Sequence, residues 1–302
     1  MGRLQGKYIL ITGASQGLGK QLALDYAKEG AAGIAIVARS ELDLKDVNNR
    51  ITQNTNSNTN SNNVVLAVAA DLTRPGEVER VIEQVRMSIA HAARTQLTAK
   101  QSQTKILTIA ADLSQPEDIE RVVATTLNEF NGRLDVLVNN ASTIGASPMP
   151  YLLDYPLEDF RKVIDTNLIA PFLLIKKVLP AMSNNGGSII NVTSDAGLTG
   201  YPGWGAYGIS KFGIEGMSQT WAAELEGSGV RLNWVDPGDM NTAMHRAAEP
   251  EEDPNQWANP ADVTEVFIYL ASDESKQVHG QRFEAQQEVE VNNNGRVTSL
   301  AG

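Results

Sequence analysis

Short apolar runs alternate with longer amphipathic segments along this chain. Runs such as YILIT (8–12), ILTIA (106–110) and SIINV (188–192) have the length and composition of buried β-strands, and the segments at 157–182 and 261–272 have apolar residues at helical spacing. Because parallel strands need crossover connections, and helices supply them, the alternation predicts an α/β fold. We expect a doubly wound parallel sheet, covered by helices on both faces, in a single domain that spans the 302 residues.

A polar tract and an internal repeat interrupt the alternation. Residues 54–63 (NTNSNTNSNN) contain nothing to bury in a core. The segment VLAVAADLTRPGEVERVI at 65–82 recurs 41 residues later, with half of its residues identical, as ILTIAADLSQPEDIERVV at 106–123. We predict that residues 54–104 are an inserted loop and a duplicated βα unit, which adds an edge strand and a helix to the sheet. The unit is either a tolerated insertion or a surface that binds a partner.

Composition and charge narrow the classes of function. The chain carries a net charge of −11 and contains no cysteine, and its pI is about 4.8. An acidic chain is a poor partner for nucleic-acid phosphates or an anionic membrane surface, so neither is expected. The lack of cysteine excludes disulfides and thiolate chemistry, and no other metal-ligand cluster is evident. The N-terminus enters a strand directly and no apolar run reaches transmembrane length, so we expect a cytoplasmic protein.

A glycine-rich loop follows the first predicted strand. Its three glycines stand between that strand and a helical pattern that begins near residue 20. Glycines allow a tight turn and the close approach of a pyrophosphate, whose charge is stabilised by the N-terminus of the following helix. The loop therefore predicts a dinucleotide site, to which we assign Gly13, Ser15, Gln16, Gly17, Leu18 and Gly19.

The second predicted strand ends at Arg39 and Ser40. In dinucleotide-binding folds an acidic residue near this point takes the ribose hydroxyls of NAD, whereas an arginine suits the 2′-phosphate of NADP. We therefore predict NADP(H) as the cofactor. NAD stays possible because Glu41 follows directly.

Tyr207 and Lys211 lie four residues apart in the segment SDAGLTGYPGWGAYGISK, at 194–211. At this spacing two helical residues share a face and their side chains can meet. A free tyrosine titrates near pH 10, and one positive charge about 4 Å away supplies about 4 kcal/mol, roughly 3 pKa units. We therefore predict that Tyr207 is a general acid/base whose pKa Lys211 lowers. The alternative is a packed tyrosine beside a solvated lysine.

Taken together, these motifs resemble the short-chain dehydrogenase/reductase family. The resemblance covers about residues 5–285, and it rests on TGASQGLG (12–19), an Asp-Leu pair, NNAS (139–142), Asn167, Ser194, YGISK (207–211) and PGDMNT (237–242), in the family's order. It implies a Rossmann-like fold and a nicotinamide dinucleotide. It also implies a homodimer or homotetramer built from the helices that hold Asn167 and Tyr207.

The resemblance implies roles for individual residues. Tyr207 is expected as the general acid/base, and Lys211 as the group that lowers its pKa and holds the nicotinamide ribose. Ser194 is expected to hydrogen-bond the substrate oxygen, and Asn167 to position a water that links Lys211 to solvent. Further cofactor contacts are expected from Asp112, Leu113, Asn139, Ala141, Pro237, Gly238, Met240 and Thr242, in addition to the residues named above.

The sequence departs from the family pattern in three places. Ser142 replaces the glycine with which the Asn-Asn-Ala motif usually ends. The duplication leaves two aspartates, Asp71 and Asp112, that could face the adenine, and we choose Asp112 because it is continuous with the later motifs. Finally, residues 286–302 form a polar C-terminal tail where the family commonly has an Asp-Gly-Gly turn.

Two classes of function follow. The first is an oxidoreductase that transfers hydride between NADP(H) and a carbonyl or alcohol, acting on a small or medium substrate that is uncharged or cationic. Asp195, Tyr201 and Trp204 stand where this family's substrate wall forms, and His245 is interpreted as an ordinary lid residue. The alternative is a non-catalytic dinucleotide-binding protein, a redox sensor or interaction protein that uses the duplicated unit to dock a partner.

Overall fold

The computed structural model describes residues 2–56, 66–68, 104–183, 185–287, 289–291 and 297–299. Eight strands form one sheet: β1 (Tyr8–Thr12), β2 (Gly33–Ala38), β3 (Leu66–Val68), β4 (Lys105–Ala110), β5 (Val136–Asn139), β6 (Gly187–Val192), β7 (Val230–Asp236) and β8 (Arg282–Glu284). Their order is β3-β4-β2-β1-β5-β6-β7-β8, and every pair is parallel. The predicted doubly wound parallel sheet is confirmed.

Helices cover both faces of the sheet. They are α1 (Gly17–Lys28), α2 (Glu41–Asn56), α3 (Pro116–Glu129), α4 (Leu157–Ile164), α5 (Ala170–Met182), α6 (Gly205–Glu224), α7 (Ala243–Ala248) and α8 (Glu265–Ala271). Side chains of α1, α2 and α8 pack in one core with Ile9 and Ile11 of β1. Those of α3 and α5 pack in a second core with Leu10, and α6 packs against that core. Successive strand residues point to opposite faces, which divides β1 between the two cores.

The duplicated segment contributes an edge strand. β3 pairs with β4 in a register that joins Leu66 to Leu107 and Val68 to Ile109. This offset of 41 residues equals the spacing of the repeat, so equivalent positions of the two copies lie side by side. The second copy therefore supplies the strand next to β2, and the first supplies the edge. The helix predicted for the first copy lies outside the described residues.

The segment predicted as one long helix at 157–182 contains a change of helical type. α4 passes into a π-helical turn, Asp165–Ile169, and then into α5. Pro171 has no N–H, so it cannot donate to the carbonyl of Asn167, four residues earlier. A widened turn of this kind is common at functional sites.

The C-terminal segment predicted as a tail contains two short strands, β9 (Val289–Val291) and β10 (Val297–Ser299), which form an antiparallel pair. The division of the chain at 54–104 and 286–302 stays a prediction. Within the described residues no helix combines the length and apolarity that crossing a bilayer requires.

Candidate active site

A cavity of about 870 Å³ opens at the carboxyl ends of the strands. Its walls come from the segments that follow β1, β2, β4, β5, β6 and β7, together with residues of α6 and α7. The chain winds in opposite directions on the two sides of β1 and β5. Ligands of doubly wound sheets bind outside the strand ends at such a point. Across the described residues, no group of three or more His, Asp or Glu side chains is placed to hold a metal.

The glycine-rich loop forms one wall, closely packed against the segment after β5. Gly13 has φ +66°, and a Cβ there would lie 2.7 Å from the Cα of Ala141. A larger residue is therefore excluded by both conformation and space. The Thr12 hydroxyl accepts hydrogen bonds from the backbone N–H groups of Asn140 and Ala141, at 3.0 Å each. The Thr12 side chain thus ties the end of β1 to the segment that follows β5.

At one end of the cavity Arg39, Ser40, Asp112 and Leu113 line the wall, as predicted, together with Asp43. The Arg39 side chain is exposed. Asp112 follows β4, the strand next to β2, and its carboxylate accepts from the N–H and hydroxyl of Ser114 at 3.1 and 2.9 Å. Asp71 lies outside the described residues, so the choice of Asp112 over Asp71 stays a prediction.

At the other end Ser194, Tyr207 and Lys211 meet. Ser194 follows β6, and the other two residues lie on the first two turns of α6. Lys211 is 3% exposed. Its Nζ donates to the carbonyl of Val192 at 2.9 Å and lies 5.3 Å from the centre of the Tyr207 ring. Ser194 hydrogen-bonds the Tyr207 side chain. The helical spacing does place the phenol and the ammonium together.

The electrostatics differ from the prediction. Burial raises the pKa of Tyr207 above its ordinary value, and Asp236, Asp195 and Asp239 raise it further, while the hydrogen bond with Ser194 acts in the opposite direction. Burial also lowers the pKa of Lys211 to about 8, against the opposing effect of nearby Asp236 and Glu215. We predicted a lowered pKa for Tyr207 because the helical spacing reveals the neighbouring lysine. It does not reveal the burial of the phenol or the carboxylates that other segments bring near it.

Asn167 links two walls of the cavity. It is 2% exposed, and its amide donates to the carbonyl of Thr143 at 2.9 Å and to the Ser210 hydroxyl at 3.0 Å. Its Oδ1 accepts from the N–H of Thr143 at 2.8 Å. Both amide protons are therefore used, and the side chain has none left to hold the water that the resemblance implies.

Two predicted cofactor residues do not line the cavity. Asn139 is buried and donates to Asn191 of β6 at 2.8 Å. Gly19 packs below the loop against Gly13 and Asn140. The other predicted lining residues do face the cavity: Gly13, Ser15, Gln16, Gly17, Leu18, Ala141, Pro237, Gly238, Met240 and Thr242.

Asn140 stands in the same motif as Asn139 but was not among the predicted cofactor residues. Asn139 is the last residue of β5 and its side chain bonds to β6, whereas Asn140 follows the strand. Asn140 lines the cavity and donates to the carbonyl of Thr12 at 2.8 Å. Asp236 was also missed. It ends β7, lines the cavity and pairs with Arg282 at 2.8 Å.

The wall around Tyr207 is acidic and aromatic. Asp195 accepts from the Ser194 hydroxyl at 2.8 Å and from the Tyr201 hydroxyl at 2.9 Å. The Trp204 ring packs edge-on against Tyr207, with 5.3 Å between ring centres. His245 lines the outer wall and packs against Trp257, with 4.3 Å between ring centres. Asp239, Glu249 and Glu252 add carboxylates to the same end.

The fold and this set of side chains define a dinucleotide-dependent oxidoreductase. A family model described as enoyl-(acyl carrier protein) reductase matches residues 86–286, and one described as short chain dehydrogenase matches residues 7–92. The first match alone covers more than half of the chain. The protein therefore belongs to the short-chain dehydrogenase/reductase family, and the prediction made from its motifs is confirmed. The two matches overlap at residues 86–92, within the segment predicted as an insertion.

Individual relatives are similar to this protein over nearly the whole chain. It is 32% identical to the 3-oxoacyl-[acyl-carrier-protein] reductase FabG of Thermotoga maritima over 289 residues, 92% of this chain and 96% of the relative. A short chain dehydrogenase structure from Pseudomonas syringae superposes with a TM-score of 0.74 at 32% identity, covering 94% and 96% of the two chains. One from Escherichia coli CFT073, complexed with NADPH, gives 0.72 at 27% identity, covering 94% and 98%.

Proposed function

We propose that this oxidoreductase interconverts a carbonyl compound and an alcohol with NADP(H), and that Tyr207 is its general acid/base. The observation that carries the proposal is that one cavity is lined by both groups of predicted residues. One end has the glycine-rich loop and an exposed arginine, and the other has Ser194, Tyr207 and Lys211. A dinucleotide is long enough to need both ends. A simple packing role for Tyr207 does not account for this arrangement.

The residues present fit NADP(H). The backbone of the glycine-rich loop and the N-terminus of α1 suit a pyrophosphate. Arg39 forms no ion pair within the described residues, so its guanidinium is free to meet a 2′-phosphate. A related structure is complexed with NADPH. Asp43 lines the same end, and its negative charge opposes the binding of a phosphate there.

When NADPH is bound, the chemistry it would supply is hydride for the carbonyl carbon. Tyr207 then gives its proton to the developing alkoxide. Because burial raises the pKa of Tyr207, the phenol stays protonated at neutral pH until a stronger base forms beside it. Lys211, which is buried below the ring, stabilises the phenolate that remains. The Ser194 hydroxyl donates to Asp195 at 2.8 Å, and on substrate binding it would turn from that carboxylate to orient the reacting oxygen. The same groups serve alcohol oxidation in reverse.

The wall at this end favours a substrate that is uncharged or cationic. Asp195, Asp239, Glu249 and Glu252 line it, so an anionic group would meet like charges there. The relative from Thermotoga maritima is named for a 3-oxoacyl thioester of acyl carrier protein. A neutral 3-ketoacyl thioester is therefore one probe to include, beside simple ketones, aldehydes and quinones.

An exposed apolar surface supports the predicted assembly. Ile169 and Phe172 near the start of α5, and Ile209 and Phe212 on α6, are each between 38% and 47% exposed. The members of each pair are three residues apart and so share a helical face, and exposed apolar side chains grouped in this way indicate contact with another chain. We propose that this face joins copies of the protein into a dimer or tetramer. The cytoplasmic location stays a prediction.

The test is NADPH oxidation over that panel with wild-type protein and Tyr207→Phe. The variant should bind NADPH with nearly unchanged Kd, and its kcat should fall by about 10²–10⁴, the contribution of a positioned acid. Tyr151→Phe is the matched control, since that ring is 66% exposed and lies off the cavity. Near-normal kcat in Tyr207→Phe would contradict the mechanism. Tight NADPH binding with no turnover on any compound would favour the non-catalytic alternative.

A further inference from the structure

Ser142 carries a hydroxyl with an unusual environment. Its Oγ is shielded from solvent and has no hydrogen-bond partner within the described residues. Three other polar atoms share that property, Asn48 Oδ1, Thr126 Oγ1 and Asn139 Oδ1, but none of those residues lines the cavity. Ser142 does line it. A buried hydroxyl loses its hydrogen bonds to water, and an unmade bond at a ligand site calls for an explanation.

The backbone on both sides of Ser142 is held in place. Before it, the N–H groups of Asn140 and Ala141 donate to the Thr12 hydroxyl at 3.0 Å. After it, Thr143 both donates to and accepts from the Asn167 side chain, at 2.8 and 2.9 Å. The backbone of Ser142 is therefore held on both sides before any ligand arrives, and only the rotation of its short side chain remains to be ordered. A backbone held in this way lowers the ordering cost of association, as is typical of a binding group.

The place of Ser142 along the cavity identifies the ligand. It follows β5, the strand beside β1, and it adjoins Ala141, against which the glycine-rich loop packs. Between the arginine end and the Tyr207 end, this is the stretch of wall that a bound dinucleotide must cross. A serine hydroxyl can donate to a phosphate or ribose oxygen and can accept from a ribose hydroxyl.

We propose that Ser142 is a cofactor-binding residue whose hydroxyl makes a hydrogen bond with an oxygen of bound NADP(H). The serine replaces the glycine that the motif usually has, so this contact is one that a glycine cannot make. The inference rests on the proposed cofactor and not on the proposed reaction. It concerns binding, and it can be tested without a substrate.

The test compares wild-type protein with Ser142→Ala, by NADPH fluorescence titration and by thermal unfolding with and without NADPH. The Kd for NADPH should rise roughly three- to tenfold, the effect of one lost hydrogen bond. The unfolding midpoint without cofactor should be unchanged or a few degrees higher, because an unpartnered hydroxyl has been removed. The upward shift produced by NADPH should be smaller in the variant.

Thr126→Val is the matched control. Thr126 lies on α3, is fully buried and also has a hydroxyl without a partner among the described residues. The change therefore removes the same kind of group from a residue that does not line the cavity. This variant should keep the wild-type Kd. An unchanged Kd in Ser142→Ala overturns the inference and indicates that the hydroxyl serves a water or the substrate. A wild-type protein that fails to bind NADPH overturns the proposed cofactor instead.

Discussion

Replacing Asn167 by alanine is expected to loosen the cavity and lower the stability of the whole domain. The side chain makes three hydrogen bonds, two with the backbone of Thr143 and one with the Ser210 hydroxyl. Ser210 in turn donates to the carbonyl of Tyr207 at 2.6 Å. The amide therefore connects the segment after β5 to the first turns of α6, where Tyr207 and Lys211 lie.

The size of the effect follows from the number of bonds. Each hydrogen bond contributes about 1 kcal/mol net, so removing three costs about 3 kcal/mol. Alanine leaves the groups of Thr143 and Ser210 without their partner. The expected loss in the free energy of unfolding is therefore at the upper end of the range for single substitutions. For a domain of this size 1 kcal/mol corresponds to roughly 2–4 °C, so the unfolding midpoint should fall by roughly 6–12 °C.

The assay is thermal unfolding, repeated as urea unfolding to obtain a free energy. Asn128→Ala is the control, because Asn128 is exposed on α3 and, in the part of the chain that the structure describes, its side chain makes one hydrogen bond, at 3.5 Å to Glu129. Its midpoint should move by no more than about 2 °C, as for most surface substitutions. If Asn167→Ala unfolds within the same margin, the three bonds do not hold the two walls together and the reasoning fails.

Four further predictions follow from the site. Arg39→Ala should weaken NADPH binding about tenfold or more, through loss of a charge-assisted contact, while a nearly unchanged Kd for NADH serves as control; an equal loss for both cofactors would contradict a 2′-phosphate contact. Asp195→Asn should raise the turnover of a carboxylate-bearing ketone relative to its neutral analogue several-fold, and an unchanged ratio would show that the acidic wall does not select charge. Because burial lowers the pKa of Lys211 to about 8, the unfolded chain binds more protons above that pH, so the free energy of unfolding should rise between pH 8 and pH 10. Urea titrations should show this rise in wild-type protein and a smaller one in Lys211→Met, and equal slopes would speak against the shift. Phe172→Asp should reduce the sedimenting mass at micromolar concentration, and an unaltered mass would exclude that face from the assembly.

The sequence alone was sufficient to predict the family, the parallel sheet and most residues of the cavity wall. Each of these depends on residues that are close together in the chain. Apolar runs form the strands, Gly13 gives the loop a conformation that other residues rarely adopt, and the helical spacing of Tyr207 and Lys211 brings them to one face. The register between β3 and β4 also follows the repeat, because equivalent positions of the two copies lie side by side.

Only the tertiary structure decided how these groups behave. Burial raises the pKa of Tyr207, and the carboxylates of Asp236, Asp195 and Asp239 raise it further, which reverses the expected shift. The Asn139 side chain bonds to β6 inside the sheet, whereas Asn140, which follows β5, lines the cavity. The partners of Asn167, Thr143 and Ser210, come from other segments of the chain, and the Ser142 hydroxyl has no partner among the described residues. Desolvation and hydrogen bonding depend on which distant side chains share a volume, and the order of residues does not specify that until the chain has folded.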